Sequence, residues 1–357
     1  MADPTNPLAR FVHPLAPLAR LRGDRKPHAL RIADEAWVAF AGPEGRGACV
    51  RDRCPHRFAP LSAGRLRPDG RLACAYHGWH FDARGHGCSP SQPSLRACDV
   101  DALECFEALG WLWGAAPGAD RDALGALDWP DWEYAGAFET PFAAPLYVCL
   151  DNFSEDEHTP WVHDRLGWSP EDTSTIEFEC ERREDESEVY YRARQRPSRL
   201  ARPFGIRNGD IFHNRWVTRF DPVRTLYEIW WTDPSGRQRR PLSMRANIFM
   251  LPEDERTTRF VSFLFVRAEG RAAQLTLPAL KPLALELVKR EIEADARFIP
   301  TVAETPESMR GMRLGKFDAA LVHNRRLLRR IYWGKPADDA VEPEFATDEA
   351  QARAVAK

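Results

Sequence analysis

The chain has 357 residues, 43% of them hydrophobic and 29% charged, with a formal net charge of −3. That length suggests two domains, and the weak negative charge gives no general attraction to nucleic acid or to anionic membrane. No apolar run approaches the roughly 20 residues of a membrane span, and the proline-broken start "MADPTNPLARFVHPLAP" lacks the apolar centre of a signal peptide. A cytoplasmic protein with no membrane or nucleic-acid partner is expected.

In chain order, 36–41 "AWVAFA", 47–51 "GACVR", "RLACAYHGWHFD" and "GWLWGA" read as short strands between Gly, Pro and Asp turns, so an all-β module is expected over 8–118. Residues 119–144 are mixed in character and read as a linker. A helical candidate follows near 151–163. Then come "EVYYRARQR", "DIFHNRWVTRF", "TLYEIWWTD", "MRANIFML" and "RFVSFLFVRA", whose alternation suits a large antiparallel sheet with one covered face. Residues 280–299 carry helical period, and 316–331 suggest a second helix. The expected second domain is 145–335. The acidic, Ala-rich stretch 336–357 reads as a poorly ordered tail.

Eight cysteines are too few and too scattered for a disulfide framework in a chain of this size. Four donors stand out instead. "CPHRFAPLSAG" supplies Cys54 and His56, and "CAYHGWHFD" supplies Cys74 and His77, with 17 residues between the two pairs. Zinc accepts such a set tetrahedrally. A Rieske [2Fe–2S] cluster instead puts two thiolates on one iron and two imidazoles on the other. Zinc fingers usually draw two Cys from one place and two His from another, whereas here each loop gives one of each. The Pro after the first Cys, the Arg after the first His and the Gly-Trp after the second His closely match Rieske ligand loops. The module resembles the Rieske domain of Rieske non-heme iron oxygenases. The remaining cysteines, Cys49 and Cys88 among them, read as small packed residues.

A simple electron carrier would end near residue 120, and this chain continues with "DNFSEDEHTPWVH". Glu155 precedes His158 by three, and His163 follows by five, an order similar to the acid-x-x-His-x4-His motif of the same oxygenases. The resemblance implies a mononuclear Fe(II) on His158 and His163, completed by a later carboxylate. Three ligands on one face leave the others open for O2. Residues five apart do not share a side of a straight helix, so Pro160 is expected to break it and let the rings converge. In 280–299, Leu280, Leu287, Val288, Ile292, Phe298 and Ile299 form an apolar stripe with Glu291 and Asp295 inside it. Buried carboxylates want a cation or a partner. The family pattern, Asp followed by apolar residues at +3 and +4, favours Asp295 as the third ligand over Glu291.

The resemblance further implies that an acid at position 155 links a cluster histidine of one subunit to an iron histidine of its neighbour in a head-to-tail homotrimer. The family usually has Asp there; Asp151 and Asp156 are nearby alternatives. Asn152 matches a position common near the iron. His213, in "DIFHNRW", is a candidate for the substrate pocket, although a packed or surface histidine is the more ordinary reading.

The fold class implied is α+β: a small all-β Rieske domain, then a catalytic antiparallel sheet flanked by helices, of helix-grip or START-like type. The activity implied is that of a terminal oxygenase. Electrons from NAD(P)H arrive through a separate flavin reductase or ferredoxin, and O2 is activated at Fe(II) to hydroxylate or oxidatively demethylate a small, cyclic or aromatic substrate. The resemblance to shorter α-only members tilts the reading towards monooxygenation over cis-dihydroxylation. Readings of other classes are a Rieske electron carrier and a zinc-stabilised binding module.

Overall fold

The computed structural model describes residues 6–336 apart from 126, 128, 200 and 201. All but the first residue of the expected tail at 336–357 lies outside them. The chain divides into two compact units, one of residues 1–127 with 251–255 and one of 128–250 with 256–357.

The first unit is built of short strands and one helical turn. In order they are β1 (His13–Pro17), α1 (Leu18–Gly23), β2 (His28–Ile32), β3 (Glu35–Ala41), β4 (Gly47–Arg51), β5 (Arg65–Leu66), β6 (Leu72–Ala73), β7 (His80–Phe81), β8 (Gly87–Cys88), β9 (Glu104–Ala108) and β10 (Trp111–Ala115). They form three small sheets, β1-β10-β9, β2-β3-β4 and β5-β6-β7-β8. The run "RLACAYHGWHFD" is therefore not one strand; it is β6, a tight loop and β7. Val38, Phe40, Val50, Leu61, Leu72 and Phe81 form the core, and Cys54 and Cys74 are buried in the same cluster.

The second unit is a seven-stranded sheet in the order β11-β17-β16-β15-β14-β13-β12. Its strands are β11 (Glu133–Phe142), β12 (Glu177–Arg182), β13 (Glu186–Arg194), β14 (Ile211–Phe220), β15 (Val223–Thr232), β16 (Arg239–Pro252) and β17 (Thr258–Ala268). Residues 133–142 thus belong to the sheet, pairing antiparallel with β17, and not to a linker. β12 likewise was not legible as a strand: it is an edge strand with one solvent-facing side and reads "EFECER", mostly charged.

The helices are α2 (Leu146–Asn152), α3 (Thr159–Val162), α4 (Arg271–Phe298) and α5 (Leu321–Leu327), the last continuing into a π-helical turn, Leu328–Tyr332. The segment 151–163 is not one helix: α2 ends at Asn152 and α3 is a separate single turn. α4 starts nine residues before the expected 280, because Pro278 and Pro282 lie inside it and read locally as breakers. Its buried side carries Leu287, Val288, Ile292 and Asp295 as expected, while Phe298 is 46% exposed. Gly136, at a bulge of β11 with φ +144°, lets α4 approach; a Cβ there would lie 2.7 Å from Leu285 Cδ2. Among the described residues no helix is long and apolar enough to cross a membrane.

Candidate active site and cluster loops

In the first unit the two Cys/His loops share one backbone design. Cys54 N–H donates to Ala59 O at 2.9 Å and Phe58 N–H to Cys54 O at 2.8 Å; Cys74 N–H donates to Trp79 O at 2.7 Å and Gly78 N–H to Cys74 O at 3.1 Å. The fourth residue after each cysteine has positive φ, Gly78 at 73° and Phe58 at 60°. Glycine takes that conformation freely, and a phenylalanine held there costs about 1–3 kcal/mol. Asp52 anchors the first loop, accepting from Ser62 N–H at 2.7 Å and Ser62 Oγ at 2.6 Å.

The donors sort by element. Cys54 and Cys74 are buried and adjacent, and burial together with the neighbouring thiol pushes Cys54 up to about 11. His56 and His77 are exposed, their ring centroids 4.6 Å apart, and His56 stacks on Trp79 at 4.9 Å. Among the described residues the four do not converge within 4.8 Å of one another as one four-donor metal point. Thiol beside thiol and imidazole beside imidazole fits two irons with different ligands, and argues against a single tetrahedral zinc.

In the second unit His158 stands just before α3 and His163 just after it, with extended backbone at φ −97°, ψ 154°. Pro160 occupies the first turn of α3, where its missing N–H costs nothing and where it bars the helix from running back into α2; α3 is four residues long and both rings turn to the same side. Arg196 fixes the end of this turn by donating to His163 O and, at 3.0 Å, to Pro160 O. α4 supplies the carboxylates. His158 Nε2 lies 3.3 Å from His163 Nε2, and Asp295 Oδ1 lies 3.5 Å and 3.3 Å from those two nitrogens. Three cis ligands on bonds of about 2.1 Å would stand roughly 3.0 Å apart, so this triangle matches one face of a metal's coordination shell. Asp295 is 4% exposed and its Oδ1 has no hydrogen-bond partner, a costly arrangement that a cation resolves. Burial opposes charge on both rings, yet Asp295 and Glu291 push His163 up to about 10, and Glu155 and Asp295 raise His158. The site is built to hold positive charge.

The outer ring nitrogens are also held. His158 Nδ1 bonds Glu155 Oε1, and Glu155 Oε2 accepts from the N–H groups of Glu157 at 2.5 Å and His158 at 3.3 Å. His163 Nδ1 lies 3.0 Å from Glu291 Oε2. Carboxylates so placed fix the tautomer and aim of a ligand imidazole. Glu291 therefore sits behind His163, on the side away from Asp295. The alternatives to Glu155 are engaged elsewhere: Asp151 pairs with buried Arg325, and Asp156 Oδ1 accepts from Thr159 Oγ1 at 2.7 Å.

The triad opens onto a cavity of about 120 Å³ lined by Phe153, Leu166, Tyr191, Phe212, Tyr227, Ile229, Ala246, Ile248, Val288 and Ile292, with Asn152, Asp156 and Asn214 as polar members. Asn152 lines this cavity. His213 is not. Its strand neighbours Phe212 and Asn214 face the cavity; His213 pairs across the sheet with Arg192 and Trp230 on the opposite face. It accepts or donates at 2.8 Å with Tyr190 Oη and 2.9 Å with Thr232 Oγ1, and lies 5.0 Å over Trp230. Burial, then Arg192 and Arg239, lower it to about 4, so the ring is neutral. The correction is one of strand parity.

Sequence reasoning missed Tyr191 and Asn214, and read Asp156 only as an alternative to Glu155, not as part of the cavity wall. Burial pushes the Asp156 carboxyl up to about 8. Burial and the neighbouring Asp156 push the Tyr191 hydroxyl well above its usual range. Asp156 Oδ2, Asn214 Oδ1 and Asn152 Nδ2 are buried without a partner, each a cost of about 1–3 kcal/mol. The available signal was Asn214 standing between Phe212 and Trp216 on the apolar side of β14.

Comparisons with known proteins fit this geometry. The Rieske [2Fe-2S] domain model matches residues 12–106, and the model of the vanillate O-demethylase oxygenase C-terminal domain matches 142–332. The vanillate O-demethylase oxygenase subunit of Pseudomonas sp. (strain HR199 / DSM 7063) is 31% identical over 57% of this chain and 60% of its own length. Chlorophyllide a oxygenase of Chlamydomonas reinhardtii is 39% identical over 44% of this chain and 24% of its own. The chain thus spans less than two thirds of these relatives. The crystal structure of dicamba monooxygenase bound to 3,6-dichlorosalicylic acid superposes with a TM-score of 0.74 at 21% identity, over 91% of this chain and 97% of that one, which establishes the shared fold. The chain belongs to the Rieske oxygenases that join a Rieske [2Fe–2S] domain to the vanillate O-demethylase oxygenase C-terminal domain.

Proposed function

We propose that this chain is the terminal component of an oxidative demethylase acting on a small ring-bearing substrate. The observation that carries the reading is the His158–His163–Asp295 triangle at the head of a largely apolar cavity. Cys54, His56, Cys74 and His77 would hold the [2Fe–2S] cluster, and His158, His163 and Asp295 the mononuclear iron. The bound groups supply electrons and O2 activation; two neutral imidazoles on the cluster place its potential in the span of about −150 to +300 mV. The overall change is R–O–CH3 + O2 + 2 e− + 2 H+ → R–OH + CH2O + H2O. The relatives named for O-demethylation support this choice of reaction.

The chain's residues have distinct tasks. Glu155 and Glu291 orient the two imidazoles. Phe153, Tyr227, Ile229 and Ile292 exclude water and pack a ring. Electrons come from NAD(P)H through a separate reductase or ferredoxin, in the cytoplasm.

The assembly is a homotrimer in which the cluster of one copy serves the iron of the next, with Glu155 on the route. Trp161 beside His158 is 73% exposed, and Phe58 and Tyr76 beside the cluster histidines are 62% and 59% exposed. Large aromatic groups left in water at both metal sites suit a contact between copies.

The test is O2 uptake with formaldehyde release over a panel of methoxylated rings, in the presence of NADH and a ferredoxin–reductase pair. Sedimentation gives the assembly state. A cluster spectrum without substrate-dependent O2 uptake would leave only an electron carrier; arene cis-diol products would make it a dioxygenase.

A further inference from the structure

We propose that Arg325, on α5, is a positioning residue for the iron site: it fixes the end of α2 so that Glu155 meets His158. The inference rests on the reading of His158 as an iron ligand and names what aims its orienting carboxylate.

The guanidinium is held from one side and holds Asp151 with the other. Arg325 Nη1 donates to Pro306 O at 2.9 Å and to Glu307 O at 2.6 Å, in the chain that follows α4. The guanidinium carbon lies 4.8 Å from the centre of the Tyr147 ring, whose hydroxyl donates to Thr305 O at 3.0 Å. Nε lies 3.0 Å from Asp151 Oδ1 and 3.1 Å from Oδ2, and Nη2 donates to Oδ2. Arg325 is 1% exposed. A planar fork engaged on both sides has one orientation. A buried ion pair is often no more stabilising than apolar residues of the same volume; what this one supplies is a fixed geometry.

That geometry is imposed on the turn that delivers Glu155. Asp151 and Asn152 end α2. Ser154 N–H donates to Asp151 O at 2.9 Å and closes the turn. The neighbour of Arg325 adds a second anchor: Asn324 Nδ2 donates to Ser154 Oγ at 2.8 Å, and Ser154 Oγ donates to Leu150 O at 2.6 Å. Both side chains are fully buried. From the sheet, Tyr227 Oη donates to Phe153 O at 3.1 Å. Glu155 itself bonds residues of its own turn, Glu157 and His158. Its aim therefore follows from where α2 ends, and α5 sets that end. A small displacement of such a carboxylate misdirects the imidazole it orients.

The experiment compares Arg325→Lys, Glu155→Gln and the double variant in the full chain, loaded with cluster and iron. One readout is formaldehyde turnover per iron over methoxylated rings. The other is the electron paramagnetic resonance spectrum of the Fe(II) site with nitric oxide; both are taken well below the melting temperature. Arg325→Lys keeps the charge and loses the fork. Turnover per iron should fall about tenfold and the nitric oxide spectrum should change, while the cluster spectrum stays as in the wild type. Because Arg325 acts through Glu155, adding Arg325→Lys to Glu155→Gln should cost less than about twofold more and leave the nitric oxide spectrum of Glu155→Gln unchanged. A merely structural Arg325 lowers the melting temperature and leaves both readouts at wild-type values. That result, losses that multiply in the double variant, or wild-type turnover in Glu155→Gln would each overturn the proposal. Where Arg325→Lys does not fold, Asp151→Asn keeps the shape and one acceptor and should repeat the pattern at smaller amplitude; wild-type readouts there overturn it equally. A wild type that releases no formaldehyde would sink the demethylase reading, and the nitric oxide spectra would still decide on Arg325.

Discussion

Glu291 and Asp295, one helical turn apart on α4, take hold of the same imidazole from opposite sides. Asp295 Oδ1 faces His163 Nε2 at 3.3 Å, on the side shared with His158, and Glu291 Oε2 faces His163 Nδ1 at 3.0 Å. One carboxylate stands where a metal ligand stands and the other where an orienting partner stands.

That difference is measurable as metal content. Asp295→Ala should lose the mononuclear iron while the cluster spectrum is unchanged, since the cluster loops lie in the other unit. Glu291→Ala should keep the iron with affinity lowered about 10–100-fold. Iron per cluster, by elemental analysis beside sulfide content, reads both. Iron loss in Glu291→Ala together with retention in Asp295→Ala would move the ligand one turn back along α4.

Glu155→Gln tests the second orienting carboxylate. The amide oxygen still reaches His158 Nδ1, so iron content and cluster spectrum should match the wild type. Turnover should fall about tenfold or more, because the charge that favours the His158 N–H is gone. Single-turnover kinetics with a pre-reduced cluster separate slow electron arrival from weak substrate binding, which should not change.

For the cluster, His77→Cys replaces a neutral donor by a thiolate. The added negative charge should lower the potential sharply, read by redox titration of the visible spectrum. An unchanged potential removes His77 from the ligand set.

Asp318 gives a pH-dependent stability prediction away from the metal ligands. It accepts from Gly315 N–H at 2.6 Å. Burial, together with Glu155, Glu157 and Asp151, raises its carboxyl from 3.8 to about 6. The folded state therefore holds this proton more tightly than the unfolded chain. The associated stability is fully present below about pH 3.8 and is lost as pH rises through 6. Asp318→Asn keeps the acceptor and removes the ionisation. It should stabilise the protein by roughly 1–3 kcal/mol above pH 6, with the gain vanishing below pH 4, as followed by denaturant melts at several pH values.

Much of this protein is decided locally and is legible in the sequence. The ligand loops are, because a Cys and a His two or three residues apart already fix which atoms can meet one cluster, and the backbone bonds that shape each loop span only five residues. His158 and His163 are legible for the same reason: they lie five residues apart, and Pro160 between them keeps the segment from being one straight helix. Asp295 is legible as a carboxylate inside an apolar stripe, since burial of a charge must be answered by something.

The tertiary structure decided the rest. Glu291 occupies nearly the same stripe as Asp295, and only the placement of α4 against α3 gives them opposite faces of one ring. His213 and Asn214 differ by one position, and strand parity, set by which face of β14 is covered, put Asn214 in the cavity and His213 outside it. β11 enters the sheet through its pairing with β17, 116 or more positions away in sequence, a contact no local pattern encodes. Local chemistry names the groups that must be neutralised; only the packing of distant segments determines which partner reaches which atom.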